Sequence, residues 1–123
     1  MNICVTSRGD KLDSPVDPRF GRCNYFLIID SDTLEFEAVE NSSSQASGGA
    51  GIQSGQLMSS KGVKAVLTGN VGPNAFQTLN EAGIEIFLGA SGTVSEAFES
   101  YKEGKMNATE GPSVDSHSNM PGG

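Results

Sequence analysis

A chain of 123 residues, 36% hydrophobic and 19% charged, is one domain by length and can bury a core without disulfides or a structural metal. Its net charge of −7 argues against nucleic acid as the main partner, and no apolar run nears the roughly 20 residues of a membrane span. The start, Met1 to Val5, lacks the basic and long apolar regions of a signal peptide, so a cytoplasmic protein is expected.

In chain order, Asn2–Thr6 is a short buried strand, and residues 7–24 form a long irregular stretch holding Gly9, Pro15, Pro18 and Gly21. Unstructured stretches of that length inside a compact domain are usually functional or disordered. Tyr25–Asp30 is a strand, and Ser31-Asp32 turns into Leu34–Glu40, whose alternating apolar and acidic residues predict a strand with one wet face. Asn41–Gly51 is a second loop, polar and glycine-rich. Ile52–Lys61 reads as a helix stopped by Gly62, Val63–Thr68 as a buried strand, and Asn74–Ala82 as a helix with Pro73 at its first position. Ile84–Leu88 is a strand, and Thr93-Val94-Ser95-Glu96 is a capping box opening a helix to about Glu103. Residues 105–123 are polar and rich in Gly, Pro and Ser, and are expected to form a flexible tail behind a domain of residues 1–104.

The order β-β-β-α-β-α-β-α implies an α/β fold with a mixed five-stranded sheet. In the opening meander the first and third strands run parallel. Right-handed crossovers then make the fourth and fifth strands parallel to the first. The loop after the first strand and all three helix amino-termini therefore emerge at one sheet edge, where open α/β sheets bind ligands.

Three glycine turns converge there: Ser47–Gly51, Gly69–Asn74 and Gly89–Thr93. Glycine lets a ligand approach the backbone, and helix amino-termini present unpaired N–H groups at a positive dipole end. Any one of these turns alone does no more than cap a helix. Together, facing a loop with arginines, they describe an anion cradle. Charge agrees: residues 1–22 hold four basic and three acidic residues, net +1, and the remainder four basic and twelve acidic, net −8. Neither GxxxxGK[ST] nor GxGxxG occurs, so a standard nucleotide loop is not supported.

Two cysteines are too few for a four-ligand zinc site. Cys4 sits within an apolar strand as a small hydrophobe. Cys23 sits near the cradle, where a thiolate beside Arg8, Arg19 or Arg22 would have a lowered pKa and suit a soft metal; a semi-buried thiol without a ligand is the other reading. His117, with Met120, is a further candidate soft ligand in the tail. No histidine lies in the folded part to act as a general base, and no serine stands in a GxSxG elbow, so catalysis is not expected.

Arg19-Phe20-Gly21-Arg22-Cys23-Asn24-Tyr25-Phe26 resembles the FGRxxYF signature of the dinitrogenase iron–molybdenum cofactor biosynthesis family. Ser47–Ile52 and Gly69–Phe76 are similar to its two other landmarks, and the likeness runs from Met1 to about Lys105. The resemblance implies a three-layer ribonuclease-H-like fold without nuclease carboxylates. It also implies a non-catalytic carrier of an anionic metal–sulfur cluster, of Mo–Cu or Fe–Mo type, held without covalent attachment as in the small orange proteins. Several relatives end in histidine-rich tails, whereas this chain has His117 alone. The expected cluster-binding residues are Ser7, Arg8, Arg19, Arg22, Cys23, Ser47, Gly48, Gly49, Gly69, Asn70, Val71, Gly72, Asn74, Gly92 and Thr93, with Cys23 and His117 as candidate metal ligands. A monomer is expected, with a cluster-donor or acceptor protein as partner. Two alternatives stay open: a regulatory domain binding a small molecule or phosphate in the same cleft, and an interaction module whose acidic third strand, with Glu35 and Glu37, docks a basic protein.

Overall fold

The fold is that of a computed structural model, which describes residues 1–41 and 50–113, apart from the Ala50 side chain. Three strands open it: β1 (Asn2–Ser7), β2 (Tyr25–Asp30) and β3 (Phe36–Glu40). They are followed by α1 (Ala50–Ser60), β4 (Val63–Leu67), α2 (Pro73–Glu81), β5 (Glu85–Phe87) and α3 (Val94–Lys102). The sheet order is β3-β2-β1-β4-β5, with β1, β4 and β5 parallel and β2 antiparallel to both of its neighbours.

The apolar run of β1 is buried on both faces because helices cover both. Cys4 points with Phe26, Ile28, Val66, Met58 and Leu79 into one core, under α1 and α2. Ile3 and Val5 point with Leu27, Ile29, Leu67, Val94 and Phe98 into the other, under α3. α1 and α2 lie close together because glycines line their contact. A Cβ on Gly55 would stand 2.6 Å from Thr78 Cγ2, and one on Gly51 would stand 3.0 Å from the Ala75 Cβ. Gly83, at φ 75°, ends α2 as the sequence predicts. Among the described residues no helix is long and apolar enough to cross a membrane.

Three local expectations are corrected. The third strand begins at Phe36 rather than Leu34, because Leu34 adopts φ 66° inside the β2–β3 turn. Asp30 closes that turn: its Oδ1 accepts the amides of Asp32 (2.8 Å) and Thr33 (3.2 Å), which hold its carboxyl below the usual range. β3 does not have one wet face and one buried face. It lies at the sheet edge with every residue but Val39 exposed, since the helices cover the middle strands instead. The described part of the expected tail, residues 105–113, is finally not flexible but held against the sheet. Ala108 bridges Phe87, Thr109 donates its amide to Ile86 O at 2.8 Å, and Met106 packs on the α3-side core. Backbone pairing with the open side of β5 is what orders a segment of such polar composition. Ser113 then reaches the turn before α2, exchanging hydrogen bonds with Val71 through both its amide (2.9 Å) and its hydroxyl (2.8 Å).

Candidate functional site

The carboxyl ends of β1, β4 and β5 share one edge of the sheet with the amino-termini of the three helices, as the element order predicts. What could not be foreseen is how closely residues 8–24 are laced onto that edge. The loop is anchored in three stretches.

Its first stretch packs on α3. Pro15 bridges Thr93, Val16 donates to Gly92 O at 2.9 Å, and the amides of Val94 and Ser95 donate to Ser14 O and Leu12 O, each at 2.9 Å. Thr93 Oγ1 takes the Glu96 amide, and Glu96 Oε1 takes the Thr93 amide, completing the predicted capping box. The first-turn donors of α3 are thus already paired inside the molecule. Gly92 and Thr93, expected in the cradle, serve instead to seat the loop.

Its second stretch packs on the turn before α2. Asn70 donates to Pro18 O at 2.7 Å and accepts from Phe20 N at 3.3 Å. Gly69 permits this approach, since a Cβ there would lie 2.5 Å from the Pro18 Cβ. Asp17, only 1% exposed, grips Arg19 three times: through the amide (3.0 Å) and Nε (3.2 Å) on Oδ1, and through Nη2 (3.2 Å) on Oδ2. The Arg19 side chain is 63% exposed, and Asp17 raises its pKa further by these bonds and by its charge. Arg19 is therefore a fixed fork whose charge is largely offset, and not the loose cation that counting residues implies.

Its third stretch is tied by Asn41, whose Nδ2 donates to Gly21 O (3.0 Å) and Cys23 O (2.8 Å) while its amide donates to Asn24 O (2.9 Å). This buries Cys23 completely. Burial, and then the nearby Asp17 carboxylate, push the thiol up to about 12, the reverse of the lowered pKa expected beside three arginines. Cys4, also buried, is raised well above the usual thiol range by burial and by Cys23. Neither sulfur is poised as a thiolate ligand. Ser7 is buried too, its hydroxyl engaged by Gly9 N (3.2 Å) and Gly9 O (2.7 Å).

What remains at the edge is narrower than the expected set. Arg8 and Arg22 are exposed. α2 has Gly72 as its N-cap, with no capping side chain, and Pro73 at its start. The first amide paired within it is that of Phe76, on Gly72 O at 2.9 Å. The amides of Asn74 and Ala75 thus have neither a helical nor a side-chain acceptor among the described residues. Gly51, in the first turn of α1, presses on Ala75, so the two helices bring their amino-terminal turns side by side. Val71 is buried and held by Ser113. Ser47, Gly48, Gly49 and His117 lie outside the described residues. Among the described residues no three His, Cys, Asp or Glu side chains gather as a metal ion needs. A cavity of about 280 Å³ beside the edge, lined by Asn24, Tyr25, Glu40 and Asn41, carries a carboxylate and no cation, so it suits an anion poorly.

Sequence reasoning missed Asp17, Asn41 and Ser113. Asp17 had a signal, an acidic residue two positions before Arg19 in a loop read for its positive charge. Asn41 and Ser113 had none, since each acts by contact with residues 17 or more positions distant.

An open α/β sheet whose carboxyl edge is covered by a loop and carries the uncapped start of α2 is the architecture in which such sheets bind ligands. The chain belongs to the dinitrogenase iron–molybdenum cofactor family, whose profile it matches over residues 1–104. It is 41% identical to the apo orange protein (ORP) of Desulfovibrio gigas, with a TM-score of 0.88 over 90% of this chain and 94% of that one. It is 38% identical to TM1290 of Thermotoga, with a TM-score of 0.78 over 87% and 91% of the two chains. It also shares 30% identity over 108 residues with the uncharacterized protein MJ0580 of Methanocaldococcus jannaschii, spanning 81% of this chain and 92% of that one.

Proposed function

We propose that this protein is a non-catalytic carrier of an anionic metal–sulfur cluster of Mo–Cu or Fe–Mo type, taken up at the edge between α1, α2 and the 8–24 loop. The observation that carries the reading is the pairing of two helix starts at Gly51 and Ala75, with open amides at Asn74 and Ala75, in a chain of this family. A thiometallate is a large, soft dianion. Amide donors and guanidinium groups bind such an ion by hydrogen bonds and charge without a covalent bond, which allows it to be handed on. Arg8 and Arg22 would supply charge, Arg19 a fixed set of donors, and the amides of α2 the floor. Cys23 would take no part, because its thiol is buried and protonated at neutral pH. Backbone donors and arginines supply positive potential but no nucleophile and no base, which fits cargo binding better than turnover.

The test is anaerobic reconstitution of the full chain with tetrathiomolybdate and copper(I), followed by metal analysis and a visible spectrum. Stoichiometric uptake with new visible bands is expected in the wild type and in Cys23→Ser. Arg22→Ala, combined with Arg8→Ala, should lose about tenfold or more in affinity, as removal of two charge-assisted contacts implies. A folded wild type that takes up no molybdenum or copper defeats the proposal, and thermal stabilisation by phosphate in its place would favour a phosphate-binding regulatory domain.

A further inference from the structure

The two outer edges of the sheet are treated differently. Ala108 and Thr109 run along β5 and pair with it. β3 has no such cover among the described residues. Asp30 N donates to Glu35 O and Asn41 N to Asn24 O, and the register sets Ile28 opposite Glu37 and Phe26 opposite Val39. In an antiparallel ladder of that phase the backbone groups of Glu35, Glu37 and Val39 turn toward β2, and those of Phe36, Ala38 and Glu40 turn outward. Three N–H and three C=O groups thus line an open edge.

The side chains beside it define what could join. Phe36 is 43% exposed and Leu34 53%. Glu35, Glu37 and Glu40 add three carboxylates, of which Glu37 alone has an ion-pair partner among the described residues, Lys61 at 3.0 Å. We propose that β3 is a docking edge for an extended, Lys- or Arg-bearing segment of a partner protein, which adds to the sheet as a sixth strand. Backbone pairing supplies affinity, and alternate side chains supply selection: basic groups meet the glutamates and an apolar one meets Phe36. Acidic residues also protect free edges from aggregation, but an exposed phenylalanine next to an alanine works against that purpose. A second copy is a poor occupant, since each edge would bring three carboxylates to a shared ladder between chains of net charge −7. The proposal concerns a surface separate from the cargo edge and does not depend on the cargo.

Amide hydrogen exchange on the full chain tests it. The probe is a synthetic octapeptide alternating Lys and Val, with a Glu and Val counterpart as control. The Lys peptide is expected to slow exchange at Phe36, Ala38 and Glu40 by about tenfold or more, with the effect weakened by salt, and the Glu peptide to leave them unchanged. Ala38→Pro removes one outward N–H without touching the ladder to β2 and should abolish the protection. Glu35→Lys, which leaves the backbone alone and lies on the face opposite Phe36, should weaken binding of the Lys peptide several-fold and strengthen that of the Glu peptide. Equal protection by both peptides, no protection at these three amides, or protection arising from self-association without peptide would each overturn the proposal.

Discussion

Cys23 and Leu34 show how far a residue's neighbours can reverse what its type implies. With its thiol pushed up to about 12, Cys23 is neutral in the fold but ionises near the ordinary value of 9 once the chain unfolds. Its contribution to stability is complete below about pH 9 and is lost progressively from there to about 12, because the unfolded form alone releases the proton in that window. Two outcomes follow. Alkylation of Cys23 by iodoacetamide at pH 8 should proceed at the rate of unfolding or local opening, orders of magnitude below that of a free thiol. A Cys23→Ala variant should lose less stability between pH 9 and 10.5 than the wild type. Leu34 holds φ 66°, a backbone state that costs a side-chain-bearing residue about 1–2 kcal/mol. Leu34→Asn should relieve part of that and raise Tm by a few degrees, which thermal denaturation by circular dichroism would register.

At the scale of elements, the amino-terminus of α3 is a fastening and that of α2 is an opening. Thr93→Ala removes the acceptor of the Glu96 amide and should cost about 1 kcal/mol, with Thr93→Ser restoring most of it. Because α3 holds the loop rather than cargo, the folded Thr93→Ala protein should take up metal as the wild type does, read by metal analysis per folded chain. Order and direction of these elements were readable in the sequence. β1 and β4 are apolar throughout, α3 carries its capping box, and glycines stand where helices must stop. The use made of residues 12–16 was not readable. Nothing in Leu12 or Ser14 announces that their carbonyls receive the amides of Ser95 and Val94, since a backbone acceptor has no signature in residue type. The same holds for residues 105–113, whose composition resembles that of disordered chain and whose order comes from the vacant side of β5.

The whole molecule has two dissimilar ends. The Met1 amine lies by Ser31 Oγ (3.3 Å) and Asp32 (3.5 Å), at the end of the sheet away from the loop-covered edge, whereas Ser113 is fastened beside the start of α2. A chain ending after Ser113 should melt within a degree or two of the full one, since its clasp on Val71 and its pairing with β5 are intact. One ending after Gly104 should melt several degrees lower, having exposed the β5 edge and freed the Val71 amide. Differential scanning calorimetry on the two truncations would separate them. The clasp also sets the handedness of any engineered use: a fluorophore or affinity tag joined at Met1 hangs clear of the cargo edge. The same tag joined directly after Ser113 sits beside the start of α2, within reach of whatever binds there.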